Sequence, residues 1–150
     1  MNLLRSCLLA GLLLLAGTAT AQTTTDAEAK KRIEQTLRYY LDGGTNRDQA
    51  LVTKAFQPEA QMIYLKDGAT FSIMPIQTYL ANIKPGPRLE RSTRVVSIDV
   101  AGKAAQARVE SEGADYRMVD FINLLEIDGE WKIVNKIFYR LSKTQTAASK

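Results

Sequence analysis

The second half of the chain consists of strand-like segments separated by tight turns, and this pattern restricts the fold more than any other feature. Four segments cover residues 92–100, 104–112, 116–127 and 131–141, and glycines at or beside the breaks mark the turns. Runs of β-branched and aromatic residues bounded by glycine and aspartate are typical of strands. Connections as short as these join antiparallel neighbours. The sequence therefore predicts a four-stranded antiparallel meander.

The first half predicts three helices and one hairpin. Apolar residues recur three or four positions apart over residues 29–41, 51–56 and 76–83. Asn46 has a suitable side chain to cap the second helix, and Pro75 suits the start of the third. Asp67-Gly68 separates two strand-like runs, a strong signal for a hairpin with a tight turn.

The order of these elements predicts the fold class. A chain of 150 residues with 45% apolar residues can form one domain with a substantial core. Helix, helix, hairpin, helix and four strands indicate an α+β fold, in which about three N-terminal helices cover one face of a curved, mostly antiparallel sheet. We expect a single domain over residues 22–141 and a flexible tail over residues 142–150.

The N-terminus has the pattern of a signal peptide. Arg5 precedes an apolar run at residues 7–16, and Ala19-Thr20-Ala21 matches the small-residue site that signal peptidase requires. We therefore expect cleavage before Gln22 and a periplasmic or secreted protein. The apolar run of about ten residues is shorter than the roughly eighteen that cross a bilayer, although retention as an anchor is the alternative. After removal of the signal, no membrane association is predicted.

The composition excludes much of catalytic chemistry. The chain contains no histidine, and its single cysteine is Cys7. A Ser-His-Asp triad, a Cys-His nucleophile and a histidine- or thiolate-based metal site are therefore excluded, and we predict neither a metal nor a cofactor. The net charge is +4, or +3 without Arg5, and the basic residues are interspersed with acidic ones. This distribution argues against a nucleic-acid partner.

The last two predicted strands are apolar on both faces. We assign to the outer face a set that would need a second cover: Met118, Ile122, Leu124, Val134 and Phe138. A homodimer through this face is the expected cover, and packing of the long helix or the tail is the alternative. Asp120 shares the outer-face parity. A shift by one residue would turn Asp120 inward and make it the leading general-base candidate.

Three segments resemble the nuclear transport factor 2-like superfamily. They are LRYYLDGGTNRD at residues 37–48, AFQPEA at 55–60 and DGEWKIVNKIF at 128–138. The resemblance runs from about Ala29 to Arg140 and is greatest to the group labelled "putative lumazine-binding". It implies a cone-shaped roll of the kind shared with ketosteroid isomerases and polyketide cyclases. Because this fold carries enzymes, binding proteins and assembly modules, it does not by itself imply a function.

The resemblance can be carried to single positions. The tyrosine with which ketosteroid isomerases hydrogen-bond the steroid oxyanion falls on Tyr40, which the helical periodicity also places on the buried face. Their general-base aspartate falls on Tyr64, and the protonated aspartate of their oxyanion hole falls on Asn123. Tyrosine is a poor base at neutral pH, so these positions favour binding over turnover. We predict no catalytic residue.

These arguments predict an apolar cavity for a small aromatic or polyketide-like ligand. Its expected lining is formed by aromatic and amide side chains: Tyr40, Phe56, Tyr64, Tyr79, Phe121, Asn123, Trp131 and Asn135. One alternative is an isomerase-, cyclase- or dehydratase-type enzyme with a carboxylate in the pocket. The other is a dimeric interaction module in which side chains fill the cavity.

Overall fold

The computed structural model describes the backbone of residues 17–143 and the side chains of residues 25–143. The predicted signal segment, residues 1–21, lies mostly outside this part of the chain. Of the predicted tail, residues 142–150, only the first two residues lie within it. Of these, Ser142 is the last residue of a strand.

Three helices form the N-terminal layer: α1 (Gly17–Asn46), α2 (Gln49–Ala55) and α3 (Ile76–Asn82). Asp48 caps α2, since its side chain accepts a hydrogen bond from the Leu51 amide at 2.9 Å. The predicted cap at Asn46 is therefore wrong, because Asn46 is the last residue of α1. Pro75 is the residue preceding α3, as expected.

The periodicity of α1 predicts its buried face correctly. The side chains at the predicted apolar positions are at most 7% exposed: Ala29, Ile33, Leu37, Tyr40 and Leu41. They contact the core between the helices and the inner face of the sheet. This packing fixes the rotation of α1 and directs Tyr40 toward the strands.

Six strands form one sheet: β1 (Phe56–Lys66), β2 (Thr70–Pro75), β3 (Ser92–Ala101), β4 (Ala104–Glu112), β5 (Tyr116–Ile127) and β6 (Glu130–Ser142). Their order is β2-β1-β6-β5-β4-β3, and only the β1–β6 pair is parallel. The hairpin and the meander are confirmed. Asp67 and Gly68 have φ of 55° and 75°, as the tight primed turn between β1 and β2 requires.

Strand β5 faces the opposite way from the prediction. Ile122 and Leu124 are at most 1% exposed and belong to the core, and Asp120 is also buried, whereas Phe121 is 42% exposed. Because both faces of this strand are apolar, hydrophobicity alone does not determine which set is buried. Asp120 forms an ion pair with Lys136 of the neighbouring strand. Because Lys136 lies on the inner face, this contact requires Asp120 to face inward as well.

A β-bulge explains the error on β6. Asn123 pairs with Asn135 and Leu124 pairs with Ile133, which leaves Val134 as an extra residue. The bulge changes the alternation, so that Trp131 and Ile133 are buried while Ile137 is 49% exposed on the outer face. Phe138 packs against the core, and Met118 shares the face of Asp120. The residues predicted for a dimer interface therefore do not form the outer face.

Candidate functional site

The polar centre of the interior is formed by Tyr40, Asp120 and Lys136, here called the inner cluster. The Tyr40 hydroxyl donates to Asp120 Oδ2 at 2.9 Å. Lys136 Nζ donates to the Tyr40 Oη at 2.7 Å and to Asp120 Oδ1 at 3.0 Å. The three groups therefore form a closed triangle of hydrogen bonds, in which each carboxylate oxygen already has a donor.

Three different elements position the inner cluster. Tyr40 comes from α1, Asp120 from β5 and Lys136 from β6. In the register of the sheet Lys136 lies opposite Ile122, so Asp120 is its diagonal neighbour on the same face. Asp120 and Lys136 are 1% and 2% exposed, and Tyr40 is 6% exposed. The charges of the cluster are thus enclosed by core residues.

Burial changes the acidity of the cluster. Removal from water raises the pKa of Tyr40 well above its usual value, and the nearby Asp120 raises it further. Removal from water lowers the pKa of Lys136, whereas the neighbouring Asp120 opposes this change. The phenol therefore stays protonated at neutral pH and acts as a donor to Asp120.

Aromatic rings surround the ammonium group of Lys136. Its Nζ lies 4.3 Å from the centre of the Phe138 ring and 5.1 Å from that of Tyr40. Phe138 stacks on Tyr64 with ring centres 4.9 Å apart, and Tyr40 meets Phe56 edge-on at 5.4 Å. This environment favours a cation or a planar ring beside the cluster.

A second cation lies near the cluster at the C-terminal end of α1. Arg91 Nε donates to Thr45 Oγ1 at 2.9 Å, and its Nη2 donates to the Leu41 carbonyl at 3.5 Å. A side chain at Gly44 would meet Arg91 Nη2 at 2.8 Å and the Tyr79 hydroxyl at 3.5 Å. The missing side chain of Gly44 therefore makes room for both groups. Burial raises the pKa of Tyr79, and Arg91 opposes that increase.

The structure brings five of the eight predicted lining residues to the inner side of the sheet: Tyr40, Phe56, Tyr64, Tyr79 and Trp131. The other three lie on the outer face. Phe121 is 42% exposed there, and Asn123 donates to Asn135 Oδ1 at 3.2 Å within a row of outer-face amides. The predicted role of these three in the interior is therefore wrong, because the strand parity was inverted.

Trp131 presents an unpaired donor in the interior. Its side chain is 3% exposed, and its Nε1 has no hydrogen-bond acceptor within the described part of the chain. The backbone carbonyl of Trp131 accepts from Thr36 Oγ1 at 3.0 Å. Because buried polar groups nearly always have a partner, this ring N–H can serve a bound acceptor.

Sequence reasoning places Asp120 on the outer face and makes it a site candidate only if the strand shifts by one residue, and it misses Lys136. The structure turns Asp120 inward. Two opposite charges in otherwise apolar strands are a usable signal, because charged residues are almost never fully buried unless they are paired. The resemblance to ketosteroid isomerases places the protonated aspartate of their oxyanion hole on Asn123. In the structure Asp120 lies beside Tyr40 instead, and Asn123 faces outward.

An open groove of about 440 Å³ lies between α1 and β3, and its lining residues are separate from the inner cluster. Over residues 17–143 no helix is both long and apolar enough to span a membrane. In the same part of the chain, no three His, Cys, Asp or Glu side chains are placed to hold a metal ion.

A known protein family matches most of the chain. The model of the family described as "Putative lumazine-binding" matches residues 28–139. The chain belongs to this family. The matched range contains all the strands of the sheet except the last three residues of β6, and the whole inner cluster.

Solved structures of nuclear transport factor 2-like proteins are similar to the chain. One from Shewanella baltica, of unknown function, is 29% identical, with 77% of this chain and 95% of that chain covered and a TM-score of 0.69. Another from Methylobacillus flagellatus is 28% identical, covering 76% and 93%, with a TM-score of 0.66. A protein from Shewanella frigidimarina described as a putative ketosteroid isomerase is 13% identical, covering 72% and 94%, with a TM-score of 0.55. That last likeness concerns the fold alone. The chain matches none of the curated proteins.

Proposed function

We propose that this protein binds a small planar molecule with a carbonyl or acidic oxygen on the inner face of the sheet. The observation that carries the proposal is the inner cluster, because an ion pair enclosed by a core is expensive to desolvate and gives little stability in return. Lys136 has three N–H donors, of which Tyr40 and Asp120 take two. The third donor has no acceptor among residues 25–143. Because the Lys136 Nζ lies 4.3 Å from the centre of the Phe138 ring, on which Tyr64 stacks, this donor suits an oxygen on an aromatic ligand.

The family description supports a heteroaromatic ligand, and lumazine is therefore the first probe. The test is native mass spectrometry of the protein purified without denaturation, followed by titration with lumazine monitored by its fluorescence. We expect a discrete bound mass or saturable lumazine binding that weakens at least about tenfold in Lys136→Met, as for a lost hydrogen bond to a charged group. Tyr40→Phe, which removes one hydroxyl, provides a milder second variant.

Asn123→Ala is the matched control, because Asn123 lies on the same strand as Asp120 but on the outer face. Its binding should equal that of the wild type. Circular dichroism establishes that each variant is folded. A folded Lys136→Met or Tyr40→Phe variant that binds as well as wild type would contradict the proposal, as would a wild-type protein with neither bound mass nor lumazine binding.

The second candidate function is an enzyme of isomerase, cyclase or dehydratase type. The inward position of Asp120 favours it, because a carboxylate beside the Tyr40 hydroxyl can take a proton from a carbon next to a carbonyl. Asp120 would first have to be released by Lys136. A β,γ-unsaturated ketone is the test substrate, since its isomerisation changes the ultraviolet absorbance. Turnover that disappears in Asp120→Asn would support the enzyme, and absence of turnover by the wild type would contradict an isomerase.

We also propose that the protein is exported after cleavage before Gln22. The positively charged start, the apolar run and Ala19-Thr20-Ala21 support this. Cleavage there would remove only the first turn and a half of α1 and would retain every core contact of its described side chains, the first of which is made by Ala29. N-terminal sequencing of the protein from the periplasm or medium should start at Gln22. An uncleaved chain in the membrane fraction would contradict the proposal.

The outer face supports a homodimer. Its exposed large side chains come from β1, β2, β5 and β6, each between 42% and 66% exposed: Leu65, Phe71, Ile73, Phe121, Leu125, Ile137, Tyr139 and Leu141. Apolar patches of this extent mark interaction surfaces. A second copy with the same patch is the simplest self-complementary partner.

A further inference from the structure

A second charged cluster lies on the outer face, away from the inner cluster. Arg94 of β3, Arg108 of β4 and Arg117 of β5 surround Glu110 of β4. In the register, Glu110 lies opposite Arg94 of β3 and Val119 of β5. Arg108 is two residues before Glu110 on β4, and Arg117 is two residues before Val119 on β5. We call these four residues the arginine cluster.

Glu110 is the common acceptor of this cluster. Its Oε1 accepts from Arg117 Nη2 at 2.7 Å and from Arg108 Nη2 at 2.8 Å. Its Oε2 accepts from Arg94 Nε at 3.0 Å and also from Arg94 Nη2. The Glu110 side chain is 5% exposed, whereas the arginine side chains are between 39% and 66% exposed. Glu110 thus holds three guanidinium groups together at the surface.

The cluster has more positive than negative charge. Three guanidinium groups face one carboxylate, and the hydrogen bonds from Arg117 and Arg94 keep the pKa of Glu110 low enough for it to remain ionised. Glu112 also interacts electrostatically with Arg117 and Arg94, but it pairs with Lys143, and Asp115 pairs with Arg140. Among the described residues the cluster therefore keeps an excess of two positive charges.

The cluster also has unused hydrogen-bond donors. Glu110 receives four N–H bonds, whereas each guanidinium group carries five N–H donors. Arg108 Nε is buried and has no acceptor among the described residues. The Arg108 guanidinium also lies 5.9 Å from the centre of the Phe121 ring, near the outer limit of a cation–π contact.

Pairing of the buried Glu110 carboxylate accounts for only part of this arrangement. A carboxylate that is 5% exposed needs charged partners, but three guanidinium groups exceed the charge of one carboxylate, and the second and third add repulsion between like charges. Guanidinium groups held in a fixed arrangement are, in contrast, suited to the oxygens of a phosphate or sulfate group.

We propose that the arginine cluster binds a phosphate or sulfate dianion, either free or as the monoester group of a larger molecule. Glu110 orients the guanidinium groups in advance, and the ligand neutralises the two positive charges that exceed the charge of Glu110. This site is separate from the proposed ligand site, because the sheet lies between them.

The test is a titration of the folded protein with inorganic phosphate and with sulfate at constant ionic strength, followed by the ¹H–¹⁵N signals of arginine side chains. Parallel arms use glycerol phosphate and vesicles of phosphatidic acid in phosphatidylcholine, which separate a free anion from a soluble ester and a lipid headgroup. We expect saturable binding in at least one arm. Arg94→Gln and Arg117→Gln should each weaken it about tenfold or more.

Arg88→Gln is the matched control, because it removes the same charge from an exposed arginine outside the cluster. Its affinity should stay within about twofold of the wild type, as expected for an unpaired surface charge. Absence of saturable binding in every arm would overturn the proposal. Equal weakening by Arg88→Gln and Arg94→Gln would also overturn it, because net charge alone would then explain the binding.

Discussion

Lys136 and Asp120 are each stable in the core only because the other is present. Replacing Lys136 by Met leaves the Asp120 carboxylate buried with the Tyr40 hydroxyl as its remaining donor. We expect Lys136→Met to lower the free energy of unfolding by about 3–5 kcal/mol, the usual cost of breaking a buried ion pair. The double variant Asp120→Asn with Lys136→Met buries no charge and should lose less than the sum of the two single variants.

Urea unfolding of the wild type, both single variants and the double variant measures this coupling. Matching slopes of the unfolding curves establish that the comparison is between similar transitions. Additive losses would show that Asp120 and Lys136 do not depend on each other, contrary to the 3.0 Å contact between them.

Glu110 should make the free energy of unfolding depend on pH in the acidic range. Hydrogen bonds from Arg117 and then Arg94 lower its pKa from 4.5 to about 2. Because the folded pKa is below the unfolded one, the carboxylate contributes stability that is complete above pH 4.5 and is lost as the pH falls toward 2. The Glu110→Gln variant lacks this contribution. Its urea midpoint should therefore fall less than that of the wild type over this range, whereas parallel curves would assign the acid sensitivity to other carboxyl groups.

The sequence predicted some site residues and not others for one physical reason. Tyr40 could be placed because a helix with one apolar stripe has a single buried face. The prediction that Phe121 and Asn123 face inward is wrong because β5 is apolar on both sides, so that its parity depends on the Asp120–Lys136 contact with another strand. The alternation of apolar and polar residues within one strand does not reveal a contact with a different strand.

At the level of elements, two adjacent glycines in α1 meet different surroundings. A side chain at Gly43 would lie 2.8 Å from Val52 Cγ2 and 2.9 Å from the Val52 amide nitrogen, in the contact with α2. At Gly44 the nearest atom is the end of the flexible Arg91 side chain, at 2.8 Å. We expect Gly43→Ala to destabilise the protein by about 1–3 kcal/mol through overpacking.

Gly44→Ala is the matched comparison within the same helix. It gains up to about 1 kcal/mol of helix propensity if Arg91 moves aside, so its stability should be equal to or above that of the wild type. Urea unfolding of both variants distinguishes the two cases. A loss at position 44 as large as that at position 43 would show that Arg91 is held rigidly by Thr45 and Leu41.

The positions of the elements followed from the sequence, whereas their irregularities did not. Turn residues such as Asp67-Gly68 fix a hairpin locally, and the predicted bounds of the four meander strands agree with the structure to within one residue. The bulge at Val134 and the parallel pairing of β1 with β6 arise from contacts between distant segments. Because a bulge reverses the alternation after it, regular alternation along β6 predicts the wrong face for Ile137.

At the level of the whole molecule, the sheet separates two kinds of surface. Its inner face joins the helices to form the core and the inner cluster. Its outer face is apolar over β1, β2, β5 and β6, and carries the arginine cluster toward β3 and β4. The family fold was predictable from three short segments, but the use of each face depends on side chains that vary among proteins with this fold.

Ile137 lies near the middle of the apolar outer face, opposite Phe121 on β5 and Ile63 on β1. Ile137→Lys introduces a charge there that would be desolvated if a second copy covered this face. We expect a wild-type dimer in sedimentation equilibrium and a monomer for Ile137→Lys. Val96→Lys is the control, because Val96 is similarly exposed, at 42% against 49%, but lies on the edge strand β3. A monomeric wild type, or a dimer that survives Ile137→Lys, would contradict the proposed dimer, and dissociation by both variants would place the interface nearer to β3.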